Sequence, residues 1–262
     1  MLERLSLDGE AVIITGGAMG IGRYNARAFA AAGAKLAIAD VASMETVASE
    51  VAALGADVLP VQTDIRDEEQ ARMLMARAHE HYGRIDVLIN GAGIVTHFQS
   101  GAPRWPRISD MKSSFFDNVM RTNLVGTFHC TKHTIPYLRA QGGGHIINFG
   151  QSNVRNDREP DSIGAAVYHV SKIAIRAFTI EVAAEERENG ICIVSMGPGS
   201  GTASPDGRRG IATDETSAEY RERMNWVGDI VQNRYLLAAE APMDLSGQQT
   251  TVKDGRLVPL AD

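Results

Sequence analysis

Along the chain, short runs of apolar, often β-branched residues alternate with longer stretches in which apolar side chains recur every three or four positions. The short runs, at residues 11–15, 35–40, 57–63, 87–90, 145–149, 191–195 and 249–254, predict seven strands. Most are apolar throughout rather than alternating, which suits central parallel strands covered on both faces. Helices are predicted at 22–32, 43–54, 67–81, 113–139, 165–188 and 213–239. Strand, helix, strand order with right-handed crossovers gives one doubly wound α/β sheet, mostly parallel, with helices on both faces. No linker or repeat divides residues 1–262, so a single domain is expected.

Two segments break the pattern. Residues 96–111 carry two prolines and a tryptophan, and residues 197–210 hold five glycines and two prolines. Both follow strand carboxyl ends, where an open α/β sheet binds its ligands, so they are expected to wall a substrate pocket. The second, extended to 197–226, is expected to be its mobile part.

Composition narrows the classes. A chain of 262 residues with 44% hydrophobic and 22% charged residues fits a globular protein and excludes collagenous, disordered and coiled-coil classes. A net charge of −6 and the absence of a basic stripe argue against a nucleic-acid partner held through phosphates. Cys130 and Cys192 form no CxxC or repeated spacing, so neither a disulfide framework nor a metal site is indicated, and a cytoplasmic setting is expected. Residues 1–10 lack the basic and apolar regions of a signal peptide, and no 18-residue apolar run suggests a membrane span. Glycine is in excess, with 26 residues.

Part of that excess sits where the first strand meets the first helix, in Thr15-Gly-Gly-Ala-Met-Gly20-Ile-Gly22. A dinucleotide pyrophosphate needs a bare turn that its oxygens can approach, opening onto free helical N–H groups. Gly16, Met19, Gly20 and Ile21 are the candidates to form it. The second strand ends in Asp40, followed by Val41, about 20 residues beyond the turn, where a carboxylate accepts from ribose hydroxyls and repels a 2′-phosphate. That favours NAD over NADP, with nearby Arg23 the contrary signal. Asp64 and Ile65, after the third strand, are candidates to hold the adenine amino group and ring.

These residues, with Asn90-Gly-Ala-Gly93 and Tyr168-His-Val-Ser-Lys172, resemble the short-chain dehydrogenase/reductase family over nearly the whole chain. The motifs are similar to its TGxxxGxG, NNAG and YxxxK patterns, and imply a Rossmann-like domain with Asn90, Ala92 and Gly93 at the cofactor. Lys172 is implied to hold the nicotinamide ribose as well, and Asn123, in Arg-Thr-Asn-Leu-Val-Gly, to maintain a water-linked proton relay. The family's serine lies three residues after the strand asparagine. Here that position is Gln151, with Ser152 one step later, so either a hydroxyl or an amide serves the substrate oxygen. Pro198 and Gly199 match a family Pro-Gly, and Thr202, one position early, is the candidate for the carboxamide, with Ser200 behind it. The resemblance also implies a homodimer or homotetramer through the helices at 113–139 and 165–188.

The chemistry of the Tyr168 and Lys172 pair follows from spacing. Residues i and i+4 share a helix face, so a phenol and an ammonium meet at one site. A free phenol titrates near 10, and an adjacent ammonium together with an oxidised nicotinamide is expected to lower it toward use as a base. The predicted activity is hydride transfer between NAD and a secondary alcohol or ketone, with Tyr168 as general acid/base, Lys172 as its partner, and Ser152 and Asn123 assisting. The alternative is a catalytically weak NAD-binding sensor or scaffold of the same fold. His129 and His133 have a zinc-compatible i,i+4 spacing but no third ligand, and are read as helix surface.

Overall fold

The computed structural model describes residues 6–94, 106–150, 166–197, 238–253 and 256–260. Every described strand joins one sheet in the order β3-β2-β1-β4-β5-β6-β7-β8. These strands are β1 (Ala11–Thr15), β2 (Lys35–Asp40), β3 (Val58–Gln62), β4 (Val87–Asn90), β5 (Gly144–Asn148), β6 (Ile191–Met196), β7 (Gln249–Lys253) and β8 (Arg256–Pro259). All neighbours pair in parallel except β7 with β8. The antiparallel β8 is one strand more than the seven predicted. Its sequence Arg-Leu-Val-Pro holds only two apolar residues in succession before a proline, so no apolar run marks it, although the Asp-Gly that precedes it is a hairpin signal.

The helices are α1 (Gly20–Ala31), α2 (Glu45–Ala53), α3 (Glu68–Tyr82), α4 (Ser113–Met120), α5 (Gly126–Gln141) and α6 (Ala166–Glu186). The sheet separates two apolar layers. On one face Ile14, Ile38, Ile89, Ile147 and Val194 pack against Ala26 and Phe29 of α1 and Val47 and Val51 of α2. On the other, Ile13, Leu88, Ile146 and Ile193 pack against Leu74 and Met75 of α3, Cys130 and Leu138 of α5 and Val182 of α6. Strands covered on both sides therefore read as continuous apolar runs. Each such large side chain contributes about 1.5–3 kcal/mol by leaving water.

At the carboxyl ends of the strands this second layer turns polar. Thr15, Asn90, Asn148 and Ser195 lie side by side in register, two residues beyond Ile13, Leu88, Ile146 and Ile193. Asn90 Nδ2 donates to Asn148 Oδ1 at 2.8 Å, which ties the ends of β4 and β5 together through their side chains. This edge carries the site.

The predicted helix at 113–139 is divided. Between α4 and α5 the chain makes a π turn, Arg121–Val125, with Asn123 inside it. No glycine or proline within the turn announces it. The helix predicted at 213–239 lies outside the described residues except for Ala238 and Ala239, which are helical. Segment 198–226 and residues 96–105 also lie outside them.

Candidate active site

The glycine turn is held against two strand ends. Gly16 N–H donates to Ala39 O at 2.7 Å, and Thr15 Oγ1 accepts from Gly91 N–H at 3.1 Å and Ala92 N–H at 3.2 Å. The Asn90–Gly93 segment is thereby drawn beside the turn. A Cβ on Gly22 would stand 2.0 Å from Gly16 O, so only glycine lets α1 start this close to β1. Gly20 differs: it has φ +54° and nothing within 4 Å of where a side chain would be, leaving an open cradle. Met19, before the first turn of α1, makes no side-chain cap, and that turn has no acidic residue. In α3, by contrast, the Asp67 carboxylate accepts from Glu69 and Gln70 N–H. An open cradle at uncapped N–H groups fits a dinucleotide pyrophosphate.

Beside the turn, Asp40 Oδ2 accepts from Ala18 N–H and Oδ1 from Ala42 N–H, both at 3.0 Å. A carboxylate has about four acceptor positions, so two hydrogen bonds fix it and leave capacity for ribose hydroxyls. Met19 and Val41 expose apolar side chains on either side. Arg23 forms a two-pronged ion pair with Glu50 of α2. The Asp64 carboxylate is gripped by Arg66, which holds it below the usual carboxylate range, and Arg66 also donates to Asn118 at 2.7 Å. Ile65 is buried, packed where a Cβ on Gly126 would be, so its side chain is not an open platform for a ring.

The second half of the site comes from α6 and the π turn. Tyr168 and Lys172 share one face of α6, with Lys172 Nζ 5.7 Å from the centre of the Tyr168 ring. A Cβ on Gly93 would lie 3.6 Å from Lys172 Nζ and 3.3 Å from Asn123 Oδ1, so the lysine, the asparagine and the end of β4 converge. Burial pushes Lys172 down to about 8 and Tyr168 up to about 12, since each charged form loses hydration. This is the direction in the protein without nucleotide, whereas the lowering expected from the sequence is for a phenol beside both the ammonium and an oxidised nicotinamide. Burial of the phenol is the cause of its rise.

Asn123 is fully buried and its side chain is committed to the protein. Oδ1 accepts from Ile94 N–H at 2.7 Å, Nδ2 donates to Ser171 Oγ at 3.0 Å, and the Asn123 carbonyl accepts from Thr127 Oγ1 at 2.7 Å. Ser171, which sequence reasoning left without a role, then donates to Tyr168 O at 2.7 Å. Its signal was its place between Tyr168 and Lys172, three residues after the phenol. Beside that phenol Ile94, Val119 and Val167 form an apolar cluster with Met111, Phe115 and Met120.

Asn90 sits on the same edge but turns its amide into the sheet and α5, toward Asn148 and Thr131. Gln151, Ser152, Pro198, Gly199, Ser200 and Thr202 lie outside the described residues. His129 is buried, not a surface residue, with Nδ1 at 3.0 Å from Ile65 O, because α5 packs that face onto the chain leaving β3. Cys130 and Cys192 are buried free thiols. No group of three or more metal-ligating side chains occurs among the described residues, and none of their helices is long and apolar enough to cross a membrane.

The sequence model of the short chain dehydrogenases matches residues 10–208. The chain is 29% identical to Oxidoreductase UcpA of Salmonella typhimurium (strain LT2), over 97% of this chain and 96% of that protein. It is 32% identical to momilactone A synthase of Oryza sativa subsp. japonica, over 95% of this chain and 90% of that one. Its fold is similar to the crystal structure of a short-chain type dehydrogenase/reductase from Mycobacterium marinum, with a TM-score of 0.74, 27% identity and 95% of each chain covered. The chain belongs to the short chain dehydrogenase family and is an oxidoreductase by that membership.

Proposed function

We propose that the protein is an NAD(H)-dependent oxidoreductase that interconverts a secondary alcohol and a ketone, with Tyr168 as general acid/base and Lys172 as its partner. The observation that carries the reading is the convergence of Tyr168, Lys172, Asn123 and Gly93 at the carboxyl end of β4, beside an open glycine cradle. A bound nicotinamide supplies the hydride acceptor or donor. Tyr168 moves the proton at the substrate oxygen, and Lys172 reaches the same space to hold a ribose hydroxyl. The apolar cluster beside Tyr168 favours a substrate with a hydrocarbon body. Ser152, or Gln151, remains the candidate for the second contact to the substrate oxygen, and Pro198, Gly199 and Thr202 for the nicotinamide end, all within one domain. The test is growth or loss of the reduced-nicotinamide absorbance across a panel of secondary alcohols and ketones. Tight cofactor binding with no turnover on any of them would replace this reading with that of a sensor.

NAD rather than NADP is supported by the anchored Asp40 carboxylate and by the commitment of Arg23 to Glu50. Titration calorimetry is expected to give NAD at least about tenfold tighter binding, since a carboxylate facing a phosphate is unfavourable by more than about 1 kcal/mol. Tighter NADP binding would overturn the assignment.

The helices α4 to α6 support self-association. Phe116, Phe128, Val170 and Ile180 are exposed, and Phe128 meets Phe178 edge-on with ring centres 6.4 Å apart. Light scattering is expected to return the mass of a dimer or tetramer, and a monomer at micromolar concentration would refute it. Two buried thiols support a reducing, cytoplasmic setting.

A further inference from the structure

Two tiers of polar side chains tie α6 to α5 and the sheet. In the lower tier Asn90 Nδ2 donates to Thr131 Oγ1 of α5 at 3.0 Å and to Asn148 Oδ1 at 2.8 Å, and Asn148 Nδ2 donates to Thr179 Oγ1 of α6 at 2.9 Å. The upper tier is the Asn123 to Ser171 bond at 3.0 Å, continued by Ser171 to Tyr168 O at 2.7 Å. Asn123 precedes Thr131, and Ser171 precedes Thr179, by the same eight residues, about two helical turns, so the tiers are stacked. Their surroundings differ. The lower tier is embedded in the body of the sheet, whereas the upper one lies between the two residues read as catalytic, Tyr168 and Lys172.

We propose that Ser171 is a positioning residue: through Asn123 it fixes the first turns of α6 against the chain leaving β4, and so sets where Tyr168 and Lys172 stand. The proposal rests on the reading of Tyr168 as proton donor given above. Its physical basis is hydrogen-bond capacity. Ser171 and Asn123 are both fully buried, and the other contact of Asn123 Nδ2, to Ile94 O, is stretched to 3.5 Å. Without the Ser171 hydroxyl the amide has no good acceptor there, which drives it to reorient. Reorientation takes Oδ1 away from Ile94 N–H, which it now holds at 2.7 Å. The turn bearing Tyr168 then loses its tie to the cofactor edge. A displacement of about 1 Å at a reacting group lowers turnover about 100-fold.

Ser171→Ala tests this, with Thr179→Val as the matched control. Each removes one buried α6 hydroxyl and leaves one asparagine amide without its acceptor, so comparable losses in thermal midpoint are expected from both. Hydrogen exchange at the Ile94 amide is expected to quicken about tenfold or more in Ser171→Ala and to stay at the wild-type rate in Thr179→Val. With whichever alcohol of the panel turns over best, Ser171→Ala should lower kcat about 10–100-fold with KM and calorimetric NAD affinity within about twofold. Thr179→Val should change kcat by less than about threefold. Ser171→Cys, which keeps the volume but accepts hydrogen bonds weakly, should follow the alanine variant and serves if that variant does not fold. An unchanged Ile94 exchange rate in the Ser171 variants, or equal kcat losses at both positions, overturns the proposal. The exchange measurement involves neither cofactor nor substrate, so failure of the brace is distinguishable from failure of the enzymatic reading, which would show as a wild-type protein without turnover.

Discussion

Tyr168→Phe is expected to lower turnover of the true substrate by about 10²–10⁴-fold while leaving the fold and NAD affinity nearly unchanged. The substitution deletes one hydroxyl and keeps the ring that packs with Ile94, Val119 and Val167 and lies under Lys172. A buried phenol exchanged for a buried phenyl alters little hydrophobic area, so a thermal midpoint within a few degrees of wild type is the internal control. Retention of most of the activity in the Tyr168→Phe variant would show that another group moves the proton.

The same residue fixes the sign of the pH dependence. In the free protein the phenol is pushed up to about 12, so at neutral pH Tyr168 is a proton donor, ready for ketone reduction. Alcohol oxidation needs the phenolate. Its kcat/KM for the alcohol, which reports the enzyme before the alcohol binds, is therefore expected to climb from about pH 7 toward the alkaline limit of stability, while reduction is flat or falls over the same range. An oxidation profile already level at about pH 7 would mean that the phenol ionises far lower than its burial dictates.

Most of the scaffold was legible because its strands are sandwiched between helices. Apolar runs such as Val12-Ile13-Ile14 suit a doubly covered strand, and β1, β2 and β4 begin and end where the runs do. The i,i+4 spacing of Tyr168 and Lys172 likewise needed only helical geometry. What periodicity missed is of another kind. The Asn123 side chain in the π turn is held by groups distant in sequence, at Ser171 and Ile94, which periodicity does not register. The neighbouring ammonium of Tyr168 is visible in sequence, whereas the burial that raises the phenol in the nucleotide-free protein is a property of the packed fold. Asp64, the candidate to meet an adenine, also pairs with Arg66, two residues away.

Lys172→Met is expected to abolish activity and, in the cofactor-free protein, to raise stability. Lys172 is only 6% exposed, and burial pulls its ammonium from the ordinary 10.5 down to about 8. At neutral pH the folded chain thus holds a charge whose desolvation costs roughly 3 kcal/mol, at about 1.36 kcal/mol per unit of pKa. Methionine has similar length and no charge, so it fills the space without that cost. The sign follows from proton linkage: with the folded pKa below the unfolded one, the unfolded chain binds more protons between about pH 8 and 10.5, and wild-type stability rises with pH across that window. The advantage of the methionine variant is therefore full below about pH 8, shrinks above it and vanishes near 10.5. At about pH 7 it should appear as a thermal midpoint on the order of 5–10 °C higher, measured without cofactor. A lower midpoint would show that Lys172 is held for stability, and a gain that does not fade with rising pH would show that it does not come from removing a buried charge. The expected result, a more stable protein that has lost its chemistry, identifies this buried ammonium as a cost the fold carries for function.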